Sequence, residues 1–446
     1  MSHAKEYRAK LVTPADAVRV VRSGDWVEYG QFAVQAVVLD RALAARRDEL
    51  WDVKIRATTR VAGTPEVVKA DPTAEHFAYH NLHFSAGDRK LHDQGVCWFV
   101  PILYHEVPRY YRENCRLDVA MLPTAPMDAH GFFNFSLANS FSRAICDKAK
   151  TVILEVNPNL PVCLGGREEA IHISEVDAVV EADWNIPELP AAAPSEMERK
   201  IATLIMGEIE DGSCLQLGIG GMPNAVGSMI ARSSLKDLGI HTEMFCDAMV
   251  ELAGTGHVTG ARKTTDRCKI VYTFCLGTRK AYEFLDRNPG CASYPVDYTN
   301  DPFVIAQNDK VVAINNCVEM DLFGQVCSES SGTRQISGTG GQVDFTFGAY
   351  RSKGGKAFLC LSSTYDKRGT PVSRIKPLLT EGAIVTMPRP FVSHVVTEYG
   401  IVNLKGMSTW ERAEAIIGLA HPDFREDLVK AAEKLGIWRR SGRASG

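Results

Sequence analysis

Apolar positions along the chain recur in two alternating periods. A helix is expected from Thr13-Pro14, with Val18, Val20 and Val21 in its apolar set, ending at Ser23-Gly24. The DWVEYGQ that follows reads as a strand running into a glycine turn. The second half opens on the same plan. Ser195 and Glu198 form an S-x-x-E capping box ahead of Ile201, Leu204, Ile205 and Ile209 at helical spacing; the helix stops at Asp211-Gly212 and SCLQLGIGG follows. Further on, DVAMLPTAPMDAHGFFNFS (118–136) lines up with KVVAINNCVEMDLFGQVCSES (310–330). Each is an apolar strand, a D-x-x-G turn at Asp128/Gly131 or Asp321/Gly324, then a more polar strand.

Helices alternating with apolar strands imply βαβ crossovers and mostly parallel sheets. The expected fold is therefore α/β, built as an internal repeat of two similar open domains, with ligands at the carboxyl ends of strands and the active site at the cleft between domains. The boundary is NIPELPAAAPS (185–195), where three prolines and an alanine run break all periodicity. It divides the chain into residues 1–190 and 191–446. A capping box at Ser408 and Glu411 starts a late helix, and Asp423 precedes another that ends at Gly436.

Composition narrows the partners. A chain of 446 residues needs two or three cores, and 45% hydrophobic with 23% charged residues is ordinary for a folded protein. A formal net charge of -4 without basic runs argues against nucleic acid. No apolar run reaches the ~20 residues of a membrane span, and MSHAKEYRAKLVTP lacks the apolar core of a signal peptide, so a cytoplasmic protein is expected. The twelve cysteines are scattered without a C-x-x-C; they read as reduced core residues, with no metal site and no redox cofactor expected.

The candidate chemistry starts from GIHTEMFCD (239–247), which looks like a buried strand yet carries Glu243 between apolar neighbours. An unpaired buried carboxylate is costly, so it is either salt-bridged or reactive. Two glycine clusters join it in the second half. LQLGIGGMPNAVGSMI (215–230) brings a strand into Gly218, Gly220 and Gly221 at a helix start, where amides can hold an anion or a developing oxyanion. It departs from a dinucleotide fingerprint at Pro223, which stands where the last glycine belongs, and no Gly-Lys-Ser/Thr follows for a Walker loop. A tight turn without a ligand is the plain alternative. ISGTGGQVDFTFGAY (336–350) has Gly338, Gly340 and Gly341 leaving the main chain open to a ligand, with Asp344 as a brace.

GIHTEMFCD, LGIGGMPNAV, GTGGQVDF, LSSTYDKRGTPVSRI and VVTEYGIVNLKG, with DAHGFFNFSLANSFSRAICDKAKTVILEVN in the first half, resemble the acetyl-CoA hydrolase/transferase family over nearly the whole chain. Within it they are similar to the 4-hydroxybutyrate and butyrate:acetate CoA-transferases. The resemblance implies a ping-pong transfer of CoA from a short-chain acyl-CoA to acetate, with Glu243 as nucleophile passing through a glutamyl-CoA thioester. It implies Ile219, Gly220 and Gly341 as oxyanion donors, and CoA contacts from Gly218, Ile219, Gly220, Gly221, Met222, Val318, Gly341 and Lys367. CoA enters as substrate. An acyl pocket from Gln31, His130 and Asn134 is expected; Gln31 stands where 4-hydroxybutyrate enzymes often carry His, which leans toward plain butyryl-CoA. His241, two residues from Glu243, is a possible assistant on the same strand face. Glu329 in CSESSG is the second candidate nucleophile, after the S-E-N-G motif of a sister group. The family implies a dimer or tetramer. Hydrolysis of the acyl-CoA, or a metabolite sensor without catalysis, are the remaining alternatives.

Overall fold

The structure, a computed structural model, describes residues 2–190, 192–218 and 220–439. Two compact units divide them. The first comprises residues up to Pro190 together with Ile240–Val250 and Asp266–Asp301; the second comprises the rest. The chain thus leaves the first unit at the proline-rich stretch, but two later segments, one of them carrying Glu243, belong to the first unit.

In the first unit seven strands run in parallel. Their order across the sheet is Ala178–Glu181, Thr151–Val156, Val119–Thr124, Trp26–Gln31, Val53–Thr58, Phe77–Asn81 and Cys97–Phe99. Strand Val34–Gln35 folds back antiparallel on Trp26–Gln31. Val27, Tyr29, Ile55, Tyr79, Met121 and Ile153 from these strands form the core, each fully buried apolar side chain contributing about 1.5–3 kcal/mol. Three further parallel strands, Gly239–His241, Ile270–Tyr272 and Cys291–Ser293, pair side by side.

In the second unit His394–Thr397, Lys356–Cys360, Val311–Asn316 and Cys214–Leu217 run parallel in that order, with Gly400–Asn403 antiparallel at the edge. Their first-unit counterparts (178–181, 151–156, 119–124 and 26–31) stand in the same order. The D-x-x-G turns repeat down to the hydrogen bond. Asp128 Oδ1 accepts the amides of His130 and Phe132, and Asp321 Oδ1 accepts those of Phe323 and Gln325, two and four residues on in both cases.

The helix signals act as expected at Ser195, which closes a capping box with Glu198 ahead of Glu196–Met206, and at Ser408, which does so with Glu411 ahead of Thr409–Gly418. The last helix differs: it spans Pro422–Lys434 and is capped by the His421 ring, with Asp423 inside its first turn. Proline at the first helical position, whose missing N–H is needed by no partner there, sets that start.

Candidate active site

Glu243 does not sit within a continuous strand. Ile240 and His241 pair with Ile270 and Val271, and Met244 and Phe245 pair with Phe274 and Cys275, but both partner strands are interrupted between these pairs. At the break the Glu243 carbonyl accepts two amides, from Thr273 at 3.0 Å and Phe274 at 3.3 Å. Strict alternation of faces ends at His241, so the expectation that His241 and Glu243 share a strand face does not carry across the break. The Glu243 carboxylate is half-buried, while Ile240, Met244 and Phe245 around it are buried.

One of its oxygens is held. Asn300 Nδ2 donates to Glu243 Oε2 at 2.7 Å, a length typical of a charged acceptor. Asn300 is itself buried, and its position is set from the side: buried His241 donates through Nε2 to the carbonyl of the adjacent Thr299 at 2.8 Å. His241 therefore supports the residue that holds Glu243. Asp247 braces the other flank, accepting from the amide and hydroxyl of Thr278 at 3.0 and 2.8 Å.

The same unit brings first-half residues to this segment. Phe274, whose amide reaches the Glu243 carbonyl, stacks on Phe32 with ring centroids 3.6 Å apart and planes within 9°. Tyr104 meets both rings edge-on and shares a 2.6 Å hydrogen bond with Ser140 Oγ. Phe32 has φ +54°, a left-handed conformation that costs a bulky residue on the order of 1 kcal/mol or more, so packing must hold it there. Beside it Gln31 is buried, donating through Nε2 to Ser142 Oγ at 3.2 Å, while its Oε1 accepts no hydrogen bond. Below the turn lies buried Glu28. It takes the Gly30 amide at 3.3 Å and the Tyr111 hydroxyl, and burial pushes its carboxyl up to about 8, against the pull of Arg56.

His130 and Asn134 are placed differently from Gln31. His130 is exposed in the D-x-x-G turn. The Asn134 side chain is taken up within the unit, donating to the Cys163 carbonyl at 2.9 Å and accepting the amides of Ser136 and Cys163 at 2.8 and 3.0 Å. Its role is to brace the backbone.

The glycine loops belong to the second unit. Helix Gly221–Ile230 follows strand Cys214–Leu217, with Gly220 as a cap that offers no side chain. Ile219 lies outside the described residues. Gly220 has φ +128°, open in practice only to glycine, and a Cβ on Gly221 would come within 2.6 Å of Glu198 Oε2 and 2.9 Å of Pro194 Cα. The corresponding helix start in the first unit, Val38–Ala44, is already filled: Glu155 accepts the amides of Val37, Val38 and Leu39 and the Trp184 indole.

Gly341 caps helix Gln342–Arg351, and Gln342 Nε2 ties this start to the Asn316 carbonyl at 2.8 Å. Val318 is held through its backbone, its amide to Cys327 at 2.9 Å and its carbonyl to Arg374 at 3.0 Å. Lys367 is exposed at the end of hairpin Thr364–Lys367/Thr370–Ser373, whose turn residues Arg368 and Gly369 both have positive φ. Glu329 is buried and accepts hydroxyls from Thr339 and Thr386.

A surface cavity of about 790 Å³ in the first unit, lined by Pro126, Asn159, Glu188, Arg279 and Tyr282 among others, includes neither Glu243 nor a glycine-loop residue. The twelve cysteines are free thiols, and only Cys268 is exposed. Among the described residues no group of three or more His, Cys, Asp or Glu could hold a metal ion, and no helix is long and apolar enough to cross a membrane.

Sequence reasoning missed Asn300 and Phe32. Asn300 lies 57 positions from Glu243 in YTNDP, which carries no motif of its own. For Phe32 the available signal was an aromatic residue directly after a glycine turn, in GQFAV.

Residues 1–189 match the acetyl-CoA hydrolase/transferase N-terminal domain, and residues 277–432 match the C-terminal domain of the same name. The chain is 52% identical over 447 residues to the butyryl-CoA:acetate CoA-transferase of Anaerostipes caccae, covering 99% of this chain and 100% of that one. It is 41% identical to the 4-hydroxybutyrate coenzyme A transferase of Clostridium kluyveri, covering 96% and 98%. Among solved structures, RipA from Yersinia pestis superimposes with a TM-score of 0.91 at 39% identity, covering 98% of this chain and all of that one.

Proposed function

The chain belongs to the acetyl-CoA hydrolase/transferase family and is a CoA-transferase; from that premise we propose that it moves CoA between a short-chain acyl-CoA and acetate, with Glu243 as the nucleophile. Butyryl-CoA is the first substrate to test and 4-hydroxybutyryl-CoA the second. The observation that carries the reading is a half-buried carboxylate among buried apolar side chains, one of its oxygens held at 2.7 Å by a buried amide.

The proposed steps are those that the family resemblance implies. Glu243 attacks the thioester carbonyl through its other oxygen, the C–S bond breaks, and an acyl-glutamyl anhydride and CoA thiolate result. The thiolate then attacks the glutamyl carbonyl and expels the first carboxylate, leaving glutamyl-CoA. Acetate attacks this thioester to give a second anhydride, and the returning thiolate takes the acetyl group, regenerating the Glu243 carboxylate. The number of thioesters is unchanged, so no outside energy source is needed.

Each carbonyl addition creates an oxyanion, and two kinds need donors. When the substrate carbonyl is attacked, the amides of Ile219, Gly220 and Gly341 are the candidate donors. When the glutamyl carbonyl is attacked, the charge grows on the oxygen that Asn300 already meets. The apolar flank reduces solvation of the carboxylate and slows hydrolysis of its adducts. For CoA, Gly218, Gly221, Met222 and Val318 are candidate contacts along the thioester end, and exposed Lys367 offers a cation to the phosphates. Gln31 is the candidate for selecting among acyl chains, and its burial beside Phe32 supports that reading.

Initial rates with butyryl-CoA and acetate test this reading. Parallel double-reciprocal lines, with acetyl-CoA formed and no free thiol released, are expected. Intersecting lines would mean a ternary complex and refute the ping-pong scheme; one free thiol per turnover would make the protein a hydrolase.

A further inference from the structure

Glu329 is only 5% exposed, and among the described residues no cation is recorded in an ion pair with it. Two hydroxyls converge on a single oxygen: Thr386 Oγ1 at 2.9 Å and Thr339 Oγ1 at 3.3 Å, both on Oε2. Its backbone carbonyl accepts two more donors, the amides of Ile336 at 2.8 Å and Ser337 at 3.2 Å. Thr386 in turn takes the Ser328 amide at 2.9 Å. The residues so gathered, Ile336, Ser337 and Thr339, are the limb of the second glycine loop that leads into Gly340 and Gly341. The far end of that loop is fixed separately, by Gln342 on the Asn316 carbonyl.

A buried carboxylate is an expensive way to hold two hydroxyls if packing alone is at stake, since an apolar side chain of that size would leave no charge to desolvate. We propose that Glu329 is a positioning residue: it sets the height of the second glycine loop and, through it, the Gly341 amide against the acyl-CoA thioester. The proposal rests on the reading that this loop meets the substrate, and it assigns Glu329 no covalent step.

Three full-length variants decide it: E329Q, E329A and T339V. Each is assayed for kcat and KM with butyryl-CoA at saturating acetate, and its thermal midpoint is recorded. A glutamine keeps one carbonyl oxygen for the same two hydroxyls, so E329Q should stay within about threefold of the parent in kcat/KM. E329A should lose about 10²-fold, the scale of a catalytic group displaced by roughly 1 Å. T339V removes the loop's own tie and should lose about tenfold with an unshifted midpoint, a loss that a purely structural role for Glu329 would not produce. If E329A does not fold, E329Q and T339V carry the decision. Unchanged kinetics in T339V overturns the proposal, and so does an E329Q as inactive as E329A, which would give Glu329 a chemical role. Peptide mapping after butyryl-CoA without acceptor separates the two readings. An unmodified parental Glu243 refutes the nucleophile and leaves Glu329 judged by the kinetics alone, whereas a parental adduct with unchanged T339V kinetics refutes Glu329 alone.

Discussion

Replacing Asn300 by alanine removes the amide that donates to Glu243 Oε2 at 2.7 Å. Two effects set the size of the loss. A hydrogen bond to a charged acceptor is worth about 1.5–3 kcal/mol. Part of that favours the resting carboxylate and does not help the reaction. The larger effect comes later, when thiolate or acetate adds to the glutamyl carbonyl and the oxygen at Oε2 becomes an oxyanion; deleting one preorganised donor to such an oxygen costs about 3–4 kcal/mol. Taking about 3 kcal/mol as the net, kcat should fall about 10²-fold. The assay is transfer from butyryl-CoA to acetate, followed as acetyl-CoA formed, with a thermal melt as control. Asn300→Asp adds a sharper test, since it sets a second carboxylate against Glu243. Two like charges at that distance cannot both ionise easily, so its activity should recover toward low pH relative to N300A. A folded N300A variant within about threefold of the parent kcat would refute the reasoning, because the oxygen at Oε2 would then need no donor at any step.

Two other perturbations follow from the geometry. Gly221→Ala places a Cβ 2.6 Å from Glu198 Oε2 and 2.9 Å from Pro194 Cα, so the loop must shift. A loss of about 1–3 kcal/mol in stability with a raised KM for acyl-CoA is expected, and a variant with parental melt and KM would contradict the close approach. Glu28 has a folded-state carboxyl raised to about 8 from an ordinary 4.5, so the folded protein keeps a proton that the unfolded chain has lost between those values. Stability from this group is therefore present below about pH 4.5 and lost as pH rises through about 8, by at most about 5 kcal/mol. Glu28→Gln should flatten that decline in melts from pH 5 to 9; parallel curves for the two proteins would rule it out.

Features governed by neighbours in the chain could be read in advance. The capping boxes at Ser195 and Ser408 close within one turn, and the D-x-x-G turns at Asp128 and Asp321 close within five residues. Their physics is local, so the pattern of residue types suffices. The break at Thr242–Glu243 is different in kind. It exists because the Glu243 carbonyl serves both Thr273 and Phe274, some thirty positions on, and no local period carries that information. The assignment of Ile240–Val250 and Asp266–Asp301 to the first unit escaped a linear division at 190/191 for the same reason. The three hydrogen bonds of the Asn134 side chain within the unit could not be read in advance either, because two of them go to Cys163, 29 positions on. Asn300 is a further case: it lies in no motif, and it matters through a partner 57 positions away.

The covalent step at Glu243 is best tested by incubating the protein with butyryl-CoA in the absence of any acceptor and mapping the product by mass spectrometry. The account predicts a CoA adduct on the peptide that contains Glu243, cleared on adding acetate with formation of acetyl-CoA. An unmodified Glu243 peptide in a protein that still transfers CoA, or an adduct on Glu329 instead, would contradict it.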